Sequence, residues 1–230
     1  MATRLWLALG AAAWTAPALA PVVPAVAAAL GLARRTESTA TVALTFDDGP
    51  HPQGTPAMLE ILAAREARAT FFVVGEQAER FPAVCGEVLA AGHELAIHGY
   101  RHRNQLRLTP RQLAEDLERA TATIGAFTGM APEIYRPPYG IFSAAGLPIV
   151  RSRGLRPVLW SRWGHDWRRR IAPTAIAAEA TVGLGGGDVI LLHDADHYSA
   201  TDSWRRTAAA LPLICDRIEA LGLRTAAVQG

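Results

Sequence analysis

Two histidines four residues apart, in the run His98-Gly99-Tyr100-Arg101-His102, put two imidazoles on one side of a turn, a spacing that suits metal ligation. Adjacent carboxylates at Asp47-Asp48 follow an apolar run, and one of them completes a two-His, one-carboxylate set. Neighbouring residues at a strand end point in different directions, so one aspartate can face a metal while the other faces the water that the metal binds. A site of this kind with an open position activates water for hydrolysis, lowering its pKa to about 7 when the ion is zinc. The same ligands can hold iron for oxygen chemistry, and the triad alone leaves both readings open. The second aspartate favours hydrolysis, which needs a base beside the water and an acid for the leaving group. His193, in Leu191-Leu192-His193-Asp194, is a candidate for that acid.

These residues must be carried on a frame. From Ser38 onward, short apolar runs alternate with amphipathic stretches, the pattern of parallel strands joined by helices. Strands are expected over 41–46, 70–74, 94–97, 133–136, 156–160 and 188–192, with a last short one near 224–228. Helices are expected over 55–68, 81–91, 110–128, 143–153, 173–181 and 203–221. Gly92, Gly129, Gly154 and Gly222 sit where C-terminal glycines end helices, and Thr109-Pro110 and Ala172-Pro173-Thr174 read as helix starts. Asp47-Asp48, His98, Arg136, Trp160 and His193-Asp194 all fall at or just past the C-terminal ends of different strands. Such convergence marks the mouth of a (β/α) barrel, so a closed or distorted α/β barrel of about seven strands is favoured over an open doubly wound sheet.

Composition narrows the class further. With 23 basic against 21 acidic residues, and every basic residue an Arg, no strong field favours nucleic acid as a partner. Cys85 and Cys215 form neither a C-x-x-C nor a Cys/His cluster and are read as two buried thiols, with a disulfide as the alternative. Between Arg4 and the Arg34-Arg35 pair, residues 5–33 carry no charge, and Ala18-Leu19-Ala20 offers a cleavage site before Pro21. Residues 1–35 are therefore expected to be a signal peptide or a retained N-terminal membrane anchor, either of which places residues 38–228, one catalytic domain, outside the cytoplasm. No sequence feature specifies an oligomeric state.

Five ordered motifs carry a resemblance that covers nearly all of 38–228. Thr45-Phe46-Asp47-Asp48-Gly49-Pro50, His98 to His102, Arg136-Pro137-Pro138-Tyr139-Gly140, Asp166-Trp167 and Leu191-Leu192-His193-Asp194 resemble those of the polysaccharide deacetylases, carbohydrate esterase family 4. The resemblance implies an irregular (β/α) barrel and removal of N-acetyl, or O-acetyl, groups from a carbohydrate polymer. It implies Asp48, His98 and His102 as ligands of a divalent metal, zinc first, with cobalt or another ion as alternatives. Asp47 then matches the general base, Arg136 the residue that holds it, and His193 the acid oriented by Asp166. The backbone N–H of Tyr139 matches the oxyanion donor, and Trp167 with Leu191 the pocket for the acetyl methyl. The expected substrate is N-acetylglucosamine units of peptidoglycan or a chitin-like glycan. The alternatives are a catalytically silent glycan-binding module and a deacylase of a lipid-linked amino sugar.

Two positions depart from the family pattern. Gly99 stands where a Ser or Thr usually braces the loop between the histidines, which puts the rigidity of that loop in question. Trp163 stands three residues before Asp166, where many members carry a further Asp, and suggests an altered rim that stacks on a sugar ring. His51, His93, His165 and His197 are read as satisfied or exposed histidines and not as ligands.

Overall fold

A computed structural model describes residues 14–229. The strands are β1 (Thr41–Asp47), β2 (Thr70–Val73), β3 (Glu94–Ile97), β4 (Ile134–Tyr135), β5 (Arg156–Pro157), β6 (Arg162–Trp163), β7 (Val189–His193) and β8 (Arg224–Ala226). They form one sheet in the order β5-β4-β3-β2-β1-β7-β6, with β8 paired to the first residues of β1. All of these pairings are parallel, and the sheet curls into an irregular, incomplete barrel, as expected. The central strands read Thr-Val-Ala-Leu-Thr-Phe, Thr-Phe-Phe-Val and Val-Ile-Leu-Leu, near-continuous apolar runs buried on both faces as parallel strands must be.

Outside the strands lie α1 (Pro24–Ala29), α2 (Gly54–Ala64), α3 (Gly75–Arg80), α4 (Pro82–Ala90), α5 (Pro110–Thr128), α6 (Gly146–Ser152), α7 (Pro173–Thr181) and α8 (Ser203–Ala220). The ends of α5 follow from its sequence. Thr109 and Gln112 close a capping box, Pro110 opens the first turn, and Gly129 adopts φ +71° to end it. Cys85 on α4 and Cys215 on α8 are buried and unpaired, and burial pushes their thiols up to about 12 and about 11.

Several boundaries differ from expectation for physical reasons. The strand expected over 156–160 stops at Pro157, because the carbonyls of Val158 and Leu159 turn inward to accept from the Arg136 guanidinium. The strand expected over 133–136 keeps only Ile134–Tyr135 and runs into Pro137 and Pro138, which have no N–H to continue a ladder. The helix expected over 55–68 ends at Ala64, since Glu66 takes φ +49° and Ala67 N returns to Leu62 O at 2.9 Å. The helix expected over 143–153 starts at Gly146, whose N–H is capped by Ser143 Oγ at 3.0 Å. The elements α3 and β6 have no counterpart in the sequence reading.

Residues upstream of Ser38 fill the gap between the barrel's open edges. Ala33 bridges Val158 in parallel and Arg35 bridges Asp188 in antiparallel fashion. Arg34 Nε donates to Trp160 O at 2.8 Å, and its Nη2 to Pro21 O at 3.3 Å. Ala20, Ala27 and Leu32 are buried in the common core. Among the described residues no helix is long and apolar enough to cross a membrane, and the start of the uncharged run, with Arg4, lies outside them.

Candidate active site

Sheet register brings the polar residues together. Asp47 and His193 are direct partners across β1 and β7, so two strand ends place a carboxylate and an imidazole side by side. His98 follows β3 with its N–H on Val73 O at 2.9 Å, and Arg136 follows β4 with its N–H on Ile97 O at 3.0 Å. Thr45 and Asp47 share one face of β1 by strand alternation, which lets one guanidinium reach both. Arg136 Nη1 donates to Thr45 Oγ1 at 2.9 Å and to Asp47 Oδ1 at 2.6 Å. Its Nη2 and Nε take Leu159 O and Val158 O, and its guanidinium lies 3.9 Å from the Phe72 ring centre. Arg136 is wholly buried, a charge tolerated there because its donors are met.

Asp48 turns the other way, with φ +78°. Its Oδ1 lies 3.1 Å from His102 Nε2 and 3.4 Å from His98 Nε2, is buried, and accepts no well-formed hydrogen bond. One donor atom from each of Asp48, His98 and His102 lies within 4.8 Å of the others. Burial would raise the Asp48 pKa, but the imidazoles of His102 and His98 and the charge of His193 outweigh it and hold the carboxyl far below the usual range. His98 Nδ1 donates to Arg136 O at 2.9 Å, which leaves Nε2 with its lone pair toward Asp48. A buried, unsatisfied carboxylate oxygen facing two imidazole nitrogens is a donor set that fits a divalent cation.

The loop between the histidines has a brace that compensates for Gly99. Asp116 of α5 accepts from Tyr100 N at 2.8 Å and Arg101 N at 3.3 Å, and pairs with Arg103 Nη2 at 2.8 Å. Gly99 itself has φ +86°, and a Cβ there would lie 3.1 Å from Arg101 O and 3.2 Å from Asp116 Oδ2. The carboxylate occupies the space where a side chain at 99 would have to fit. On the other side α3 docks by Gly75 N to Gly99 O and Glu76 N to Tyr100 O, both 2.9 Å.

Asp166 and His193 form a second pair. Asp166 is fully buried, its Oδ1 takes His193 Nδ1 at 2.9 Å, and its Oδ2 accepts from His193 N at 2.7 Å and Thr207 Oγ1 at 2.8 Å. Burial alone would lower the His193 pKa, but the Asp166 carboxylate, with Asp48 and Asp47 further off, pushes it up to about 10. Beside it, burial pushes the Asp194 carboxyl up to about 7 despite a hydrogen bond from Thr55.

A cleft of about 300 Å³ unites these groups. Asp47, Asp48, His98, His102, Tyr139, Trp167, Leu191 and His193 line it, and Arg136 and Asp166 stand directly behind Asp47 and His193. Tyr139 sits at φ +62° with its ring edge-on to His102 at 4.5 Å. Trp160 and Trp163 also line the cleft, their rings 5.5 Å apart. The other histidines stay out of the cleft: His51 Nδ1 accepts from Gly54 N, His165 meets Glu179, His197 meets Pro50 O, and buried His93 has its pKa lowered to about 4.

Two residues of the site escape the sequence reading. Tyr198 stacks flat on His102 at 4.1 Å and 10°, while its hydroxyl accepts from Gln77 Nε2 and donates to Glu76 Oε1. It lies in an irregular loop after β7, where no periodicity flags it. Asp116 does leave a signal, because it falls among Leu113, Leu117, Ala120 and Ile124 on the buried stripe of α5, a position where an unpaired carboxylate is costly.

Known proteins resemble this chain in sequence and in fold. A family model described as polysaccharide deacetylase matches residues 34–158. A chitooligosaccharide deacetylase of Azorhizobium caulinodans is 32% identical over 83% of this chain and 93% of its own length. A peptidoglycan-N-acetylglucosamine deacetylase of Bacillus cereus is 31% identical over 80% of this chain and 84% of its own. Among solved structures, a family 4 carbohydrate esterase from Streptomyces lividans in complex with acetate superposes with TM-score 0.72 at 32% identity, covering 82% of this chain and 92% of that one.

Proposed function

The chain belongs to the polysaccharide deacetylase family, and from that premise we propose that it hydrolyses the N-acetyl group of N-acetylglucosamine units in a cell-wall or exported glycan, using the ten residues placed around this cleft. The observation that carries the reading is the unsatisfied Asp48 Oδ1 facing His98 and His102 beside an aspartate held independently by Arg136. Asp48, His98 and His102 would hold the metal, with zinc first and cobalt as an alternative. A divalent cation held there supplies Lewis acidity and lowers the pKa of water, to about 7 for zinc.

Asp47 stands outside the ligand set in this reading, its Oδ1 engaged by Arg136 while Asp48, His98 and His102 form the ligand cluster. It takes the proton of the attacking water, and a C–O bond forms at the acetyl carbonyl carbon. Charge then collects on the carbonyl oxygen, toward which the Tyr139 backbone N–H is directed in this reading. The C–N bond breaks as His193 delivers its proton from Nε2 to the departing amine. Asp166 fixes Nδ1 as the other protonated nitrogen and keeps the ring charged until transfer. Trp167 and Leu191 receive the methyl group.

We further read residues 38–228 as the catalytic domain and the N-terminal run as an export signal or anchor, on the strength of its uncharged length and its Ala18-Leu19-Ala20 site. The deciding experiment is an acetate-release screen on chitooligosaccharides, peptidoglycan, acetylxylan and a lipid-linked amino sugar. Release from N-acetylglucosamine glycans that stops with a chelator, returns with zinc or cobalt, and is absent in Asp47→Asn is the expected result. Binding without release from any of them would support the silent glycan-binding alternative.

A further inference from the structure

A second basin, about 550 Å³, opens on the far side of the wall made by His102 and Tyr139, two residues that also line the catalytic cleft. Its remaining polar lining is Arg103, Asn104, Arg107 and Gln112, with no acidic residue among them. Asn104 Oδ1 accepts from Leu106 N and Gln112 Oε1 from Thr109 N and Oγ1, while the N–H donors of both amides have no partner among the described residues. Arg103 is half engaged through Asp116, while exposed Arg107 has neither an ion pair nor a side-chain hydrogen bond among the described residues. Of the acidic residues on α5, Asp116 is engaged by Arg103 and by Tyr100 N, and Glu115 is taken up by Arg111. Exposed Arg101, Arg168, Arg169 and Arg170 also have no ion pair among the described residues, and Arg107 is set apart by its place beside the cleft.

A lining that offers donors and positive charge, its nearby Asp116 carboxylate already engaged by Arg103, Tyr100 N and Arg101 N, is complementary to an anion, and a guanidinium fork matches a carboxylate in particular. We propose that this basin is a subsite for a carboxylate on the sugar next to the one being deacetylated. On this assignment the substrate is an anionic glycan, and a neutral chitin-like chain is the poorer one. The inference rests on the deacetylase reading and narrows its substrate class. Tyr139 then divides two subsites, with the acetyl group on one side and the charged neighbour on the other.

The test compares an alternating N-acetylglucosamine and N-acetylmuramic acid oligomer with the same oligomer after methyl esterification of its lactyl carboxylates. The pair differs in charge and keeps length and linkage. The wild-type chain should show a kcat/KM about tenfold higher for the free acid, falling with salt. Arg107→Gln should bring the ratio below about threefold and leave kcat/KM on the ester within twofold of wild type. Equal rates on acid and ester, or a ratio unchanged by Arg107→Gln, would overturn the subsite while chitooligosaccharide turnover still upheld the deacetylase reading. Calorimetric binding of both oligomers to Asp47→Asn reads the same preference without turnover: a tighter acid supports the subsite, and equal affinities overturn it.

Discussion

Replacing Arg136 by Met removes the cation that holds Asp47 and leaves the rest of the barrel in place. The guanidinium is wholly buried, 2.6 Å from Asp47 Oδ1, and also satisfies Thr45 Oγ1, Val158 O and Leu159 O. Breaking one side of a buried ion pair costs about 3–5 kcal/mol, because the partner charge stays behind in a dry site. At roughly 2–4 °C per kcal/mol for a chain of this size, Tm should fall by roughly 6–20 °C. Asp47→Asn alone should cost less, about 1–3 kcal/mol, since Arg136 keeps its three other acceptors. The double variant removes both charges and should lose clearly less than the sum of the singles, with a coupling of at least about 1.5 kcal/mol. Urea unfolding followed by tryptophan fluorescence measures all four proteins. Strict additivity, or an Arg136→Met protein as stable as wild type, would refute the claim that this arginine is kept for Asp47.

Three further outcomes follow from other contacts. Asp116→Asn weakens the brace on Tyr100 N and Arg101 N, and metal affinity should drop by about 10–100-fold with only a small change in Tm, measured by competition with a chromogenic chelator. Gly99→Ser restores the usual family residue yet should destabilise the chain by about 1–2 kcal/mol in urea, because the position has φ +86° and Asp116 fills the space. The His193 pKa is raised from 6.5 to about 10, so its charged form stabilises the fold fully below pH 6.5 and that contribution is lost as pH climbs toward 10. Asp166→Asn removes the main raising influence, and the alkaline limb of kcat/KM against pH should move to lower pH. A cation on Asp48 offsets that carboxylate's share, which places the loaded enzyme's limb below 10.

How much of this was legible before any coordinates depended on how far each feature is encoded locally. The helix over 110–128 starts and stops where its Pro and Gly signals say, and the helix over 173–181 starts at its Pro signal, because caps are local chemistry. The strand ends that carry Asp47, His98 and His193 were visible as apolar runs broken by polar residues. The helix α3, Gly-Glu-Gln-Ala-Glu-Arg, has no apolar face and is too short to show a period, although it steadies the histidine loop and holds Tyr198. The pair Arg162–Trp163 is too short a strand to have a pattern at all. Closure of the barrel by Ala33 and Arg35 was masked because the same residues end an uncharged run that reads as a leader. The pairing of Asp47 with His193 across β1 and β7 depends on sheet register between distant segments, which no local signal carries.

The central claim is that Asp48, His98 and His102 grip one divalent cation while Asp47 stays outside its ligand set. Titrating zinc into the metal-free wild-type chain and into Asp48→Asn, His98→Gln, His102→Gln and Asp47→Asn by calorimetry tests it directly. One equivalent bound by wild type, near-wild-type affinity in Asp47→Asn, and at least about a tenfold loss in each of the other three is the expected result. Undiminished binding in Asp48→Asn or in either histidine variant would contradict it.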